Sequence, residues 1–110
     1  MTKFLLLYTA TSEVREQMQK MSPEDMKAGM EPWTKWFSQV GENMVDMGAQ
    51  LGHAMTVTKE GEQPGNPEIT GYTIISAENI EGAMKAAQMN PLLEREGTSV
   101  EVHELLPMAM

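Results

Sequence analysis

A chain of 110 residues is the length of one domain, able to bury at most roughly two-thirds of its unfolded surface around a single core. Eight Lys and Arg against sixteen Asp and Glu leave a formal charge of −8 with no basic cluster, which argues against nucleic acid and against an anionic membrane surface as partners. There is no cysteine, so a disulfide framework, a thiolate metal site and a cysteine nucleophile are excluded, and no apolar run approaches the ~20 residues that span a membrane.

The N-terminal Met1-Thr-Lys-Phe-Leu-Leu-Leu-Tyr8 has too short an apolar run for a signal peptide and no small-residue cleavage site. It reads as a strand, and the protein as cytoplasmic. Lys3 to Thr9 lacks polar alternation, which predicts burial on both faces. Thr11 to Met21 is polar and loosely helical, with Val14, Met18 and Met21 at helical spacing.

Ser22-Pro-Glu-Asp25 is a strong helix start: a serine cap, a proline whose missing N–H costs nothing in the first turn, and acids at the positive end of the dipole. Met26, Met30, Trp33, Phe37, Val40 and Met44 then alternate by four and three, predicting one long apolar stripe with Trp36 toward its border and Gly48 as the stop. Pro32 inside this pattern predicts a kink or a restart.

His53 to Lys59 alternates as a second strand, with His53, Met55 and Val57 on one face. Glu60 to Pro67 is a run of turn formers and reads as a loop. Gly71 to Ser76 is a β-branched and aromatic strand. Asn79 then caps a helix whose Ile80, Ala83, Met84 and Ala87 make one stripe, and Pro91 stops it. Ser99 to Leu106 returns as the last strand.

The order is βαββαβ, a ferredoxin-like α+β plan with a four-stranded antiparallel sheet, forming one domain over residues 1–110. Both helices of such a plan lie on one side of the sheet. The other side spans roughly 400 Å² for four strands of about six residues. In the first strand Phe4, Leu6 and Tyr8 take one face and Leu5 and Leu7 the other, so the uncovered side carries apolar residues too. The simplest cover is a second copy related by a two-fold axis, giving a barrel-like dimer with a cleft between sheet and helix.

Lys3-Phe-Leu-Leu-Leu-Tyr8, the Trp33-x-x-Trp36 helix, Gly71-Tyr-x-Ile, Glu78-x-Ile80-x-x-Ala83 and Gly97-Thr-Ser-Val-Glu-Val102 leading to Leu106-Pro-Met108 together resemble the YCII-related proteins over nearly the whole chain. The resemblance implies a dimeric α/β barrel, a superfamily plan that also hosts cofactor-free monooxygenases, muconolactone isomerases and haem-binding chlorite dismutases. The chain departs from the family pattern at three points. It has no Asp-Gly-Pro-Phe string between the second and third strands and no histidine before position 53, and Asn90 stands before Pro91 where relatives place Cys or His. The acid–base pair proposed for some relatives therefore does not carry over.

His53 and His103 are the only side chains whose unperturbed pKa suits proton transfer near neutrality, which makes them the candidate catalytic residues. The plainer reading of each is a partly exposed strand histidine. Tyr8, Trp33, Trp36, His53 and Tyr72 are the candidate ligand-binding residues, although two tryptophans three apart on a helix also pack a helix onto a sheet. With no H-x-H or H-x-x-x-H spacing, neither a metal nor another cofactor is expected. Twelve methionines against eight leucines suit an apolar ligand and equally serve as leucine substitutes. The favoured reading is a homodimer that binds a small apolar molecule in a sheet–helix cleft. A cofactor-free isomerase or oxygenase with a histidine base, and a pure dimerisation or protein-interaction module, remain the alternatives.

Overall fold

The computed structural model describes residues 1–107. Met108, the end of the C-terminal Leu106-Pro-Met108 string, lies outside the described residues. The chain runs through β1 (Thr2–Ala10), α1 (Ser12–Gln19), α2 (Pro23–Val40), a 3-10 turn at Gly41–Asn43 and β2 (Met44–Gln50). It continues through a hairpin of β3 (Met55–Thr58) and β4 (Gly61–Pro64), then β5 (Ile69–Ala77), α3 (Ile80–Gln88), a 3-10 turn at Pro91–Glu94 and β6 (Thr98–Glu104). Four strands form one antiparallel sheet in the order β2-β5-β1-β6, and β3 and β4 make a separate two-stranded sheet.

The core follows from the period-two alternation of the two central strands. Phe4, Leu6, Tyr8 and Ala10 of β1, with Thr73, Ile75 and Ala77 of β5, are buried. Trp36 of α2, Ala83 and Ala87 of α3, and Leu92 close over that face. Local chemistry sets the helix ends: the side chains of Thr11, Ser22 and Asn79 each accept a backbone N–H of the first turn they precede. The apolar run of β1 is buried on one face only, since Leu5 and Leu7 are half-buried on the opposite side.

The structure corrects the middle of the chain. The long helix ends at Val40 rather than Gly48, because Gly41 takes φ 57° and donates its N–H back to the Phe37 carbonyl. Gly48 instead lies in β2 with φ 81°, where a Cβ would stand 1.7 Å from the Tyr72 carbonyl oxygen. The second strand of the main sheet is therefore Met44–Gln50, and the segment 53–59 belongs to the hairpin, with β4 formed inside the expected loop. The helix also passes Pro32 without a break, and Thr34 Oγ1 donates to the Met30 carbonyl at 3.1 Å.

The predicted stripe of α2 is only half used. Met26 is 52% exposed and Met30 55%, whereas Trp36 is 1% exposed and sits at the centre of the core instead of its border. Every residue from 22 to 32 is exposed, so the first half of α2 extends beyond the sheet, and packing begins at Trp33. No helix among the described residues is long and apolar enough to cross a membrane.

Candidate functional site

The elements that pack on the buried side of the sheet bring three of the predicted site residues together. The Tyr8 ring meets Trp33 edge-on, with centroids 5.3 Å apart, and Trp33 meets Trp36 edge-on at 6.0 Å. Phe37 joins the cluster at 5.6 Å from Trp36. Such edge-to-face pairs align the positive ring edge with the negative ring face, so the cluster is oriented as well as apolar. Trp36 is fixed further by its Nε1–H, which donates to the Ala86 carbonyl of α3 at 2.9 Å.

Polar groups thread the same region. Tyr8 donates its phenol hydrogen to Thr73 Oγ1 at 2.5 Å, and Thr73 Oγ1 donates to the Met47 carbonyl at 3.1 Å. Asn90 Nδ2 donates to the Tyr8 oxygen at 3.3 Å, while Asn90 Oδ1 accepts the Leu92 N–H at 2.9 Å. This chain joins β2, β5, β1 and the 3-10 turn before β6. No buried side-chain nitrogen or oxygen among the described residues lacks a partner, so the network is closed. Burial raises the Tyr8 phenol above its ordinary pKa of 10.0, with the hydrogen bonds to Thr73 and Asn90 opposing that shift. Tyr8 is thus a neutral, fully bonded phenol.

Thr73 and Asn90 did not stand out as site residues in the sequence. The usable signal was Asn90 directly before Pro91, the pattern of a side-chain cap on a proline-led turn.

The other predicted residues lie elsewhere. Tyr72 stands opposite Leu7 and points to the open side of the sheet, since side chains directly opposed across a strand pair share a face. His103 stands opposite Leu5 on that same side and pairs with Glu101 two residues before it. Two rows cross the open face there: Asp46, Ile74, Leu5 and His103 in one, and Ala49, Tyr72, Leu7 and Glu101 in the next. Their centre, Leu5, Leu7, Tyr72 and Ile74, is half-buried.

His53 is exposed in the segment between β2 and β3, outside any strand, so its predicted strand placement is corrected. It lines an open groove of about 330 Å³ with Leu51, Met55, Asn66 and Ile69. The two histidines therefore belong to different surfaces. No group of three or more His, Cys, Asp or Glu side chains that could hold a metal ion occurs among the described residues.

A second groove, of about 340 Å³, opens between the C-terminal end of α2, the end of β5 and α3. Trp36, Val40, Ile75, Ala77, Ala86 and Met89 supply its apolar lining, and Gln39, Asn43, Ser76, Glu78 and Asn79 add polar groups. The groove is open to solvent along one side and mixes apolar and polar walls. No family model matches the chain, and no curated protein matches it.

Proposed function

We propose that this is a cytoplasmic, YCII-related domain of ferredoxin-like βαββαβ plan, in which two copies stack their open sheet faces as a dimeric α/β barrel. In this reading each protomer's sheet–helix groove takes a small apolar molecule. The observation that carries it is the quartet Leu5, Leu7, Tyr72 and Ile74, set in direct cross-strand opposition on a sheet face that no element among the described residues covers. Two further features support it. The strand order β2-β5-β1-β6, with α2 and α3 as the crossovers on one side, is the order such a plan requires. The quartet is also rimmed by Lys3, Ser76, Thr9, Ser99, Glu101 and His103, the arrangement of apolar centre and polar edge found in protein interfaces.

Native mass spectrometry followed by denaturation of the same sample tests both parts. A species at twice 12.2 kDa that releases an extra mass on denaturation is expected. A dimer to which no apolar molecule binds, even when supplied, would remove the ligand. A monomer would remove the assembly.

A further inference from the structure

We propose that the β3–β4 hairpin is an exchange arm that each protomer lays on the second copy of this chain through its Met55–Val57 face, an inference that rests on the dimer proposed above. The two strands pair with each other and with no other strand among the described residues. Met55 and Val57, two residues apart, share one face with their partners Pro64 and Glu62, and are 50% and 74% exposed. Within the two strands only Thr56 is half-buried, and every other residue is exposed. An isolated two-stranded hairpin is marginal in water, so this arm needs a surface to lie on, and its own sheet supplies none.

Area identifies the surface. The open sheet face offers roughly 400 Å² per protomer, about half of the ~800 Å² per partner that a stable interface buries. The arm leaves the sheet between the end of β2 and the start of β5. Leu51 N–H donates to the Thr70 carbonyl at 2.9 Å, holding the root of the arm where β2 ends and β5 begins, and Gly65 N–H donates to the Ala54 carbonyl at 2.9 Å, closing the base of the hairpin. Two apolar residues flanked by Lys59, Glu60 and Glu62 are too few for an interface of their own, but suffice to extend one. The shape agrees: the radius of gyration is 15.4 Å, against about 13 Å for a compact chain of this length, and the body is 44 × 40 × 19 Å. Under two-fold symmetry both arms engage at once, because whatever one protomer gives it also receives.

Sedimentation equilibrium of the wild type, of Met55→Lys/Val57→Lys and of Leu5→Lys/Ile74→Lys tests the arm. The hairpin pair is expected to raise the dimer dissociation constant at least tenfold with an unchanged far-UV circular dichroism spectrum. A constant within twofold of wild type overturns the arm and leaves the sheet interface standing, whereas a wild type that sediments at 12.2 kDa removes both. Because the chain has no cysteine, Val57→Cys carrying an environment-sensitive fluorophore gives a second readout. Its emission is expected to shift to the blue as concentration rises through the dimer constant, and a constant emission across that range overturns the proposal.

Discussion

Tyr8 and Thr73 lie 65 positions apart in the chain and share a buried hydrogen bond of 2.5 Å, which ties β1 to β5 beneath the aromatic cluster. Tyr8→Phe keeps the ring against Trp33 but deletes the oxygen that Asn90 Nδ2 uses as acceptor. A buried donor left unpaired costs about 1–3 kcal/mol. Urea unfolding at neutral pH should show a loss in that range with an unchanged m-value, and equal midpoints would contradict the network.

The same phenol gives a pH signature. Its folded pKa is raised above the ordinary 10.0, mainly by burial, so between the two values the folded state keeps a proton that the unfolded chain has lost. Stability from this group is complete below pH 10.0 and falls as pH rises through the folded value. The stability gap between wild type and Tyr8→Phe should therefore narrow between pH ~8 and pH ~11. A gap that widens over this range contradicts the assignment.

Gly48 and Gly29 predict opposite outcomes for the same substitution. At Gly48 the backbone is left-handed and a Cβ would overlap the Tyr72 carbonyl, so Gly48→Ala must push β2 from β5. Strain of this kind costs about 1–3 kcal/mol before the clash is counted. At Gly29, inside α2, a Cβ meets nothing within 4 Å, and Gly29→Ala should add about 0.5–1 kcal/mol through helix propensity. Thermal unfolding of the two variants should move the midpoint down and up respectively.

Trp36 joins three packing roles: the cluster with Trp33 and Phe37, the floor of the larger groove, and the bond to Ala86. Trp36→Ala should cost about 3–5 kcal/mol, a large share of a small domain's stability. Met26→Ala, on the exposed first half of α2, should change it by less than about 0.5 kcal/mol in the monomer. Similar losses at the two positions in urea unfolding would contradict the half-used stripe.

Elements marked by local chemistry were readable in the sequence. Ser22-Pro23 and Asn79 capped helices where expected, and the central strands and the last strand fell within one or two residues of their predicted spans. The errors came where tertiary context overrode a local pattern. Met44 extended the stripe of α2 beyond Gly41, which hid the true helix end, and Gly48 looked like a helix stop although it serves a close approach between strands. Alternation at 53–59 did signal a strand, but alternation cannot say which strand it pairs with. Of the site residues, Tyr8, Trp33 and Trp36 converge because one sheet face and one helix meet there. Tyr72 was separated from Tyr8 by the one-residue offset of Gly71 opposite Tyr8 and Tyr72 opposite Leu7, a register that the sequence does not display.

Sedimentation equilibrium of the wild type beside Leu7→Lys asks whether the proposed pairing of two copies runs through the open sheet face. Leu7 is half-buried on that face, opposite Tyr72 and Glu101, so a lysine there should leave the folded chain intact and abolish pairing. Twice 12.2 kDa is expected for the wild type and 12.2 kDa for the variant. A wild type that stays at the single-chain mass, or a variant that still dimerises with the same constant, would contradict it.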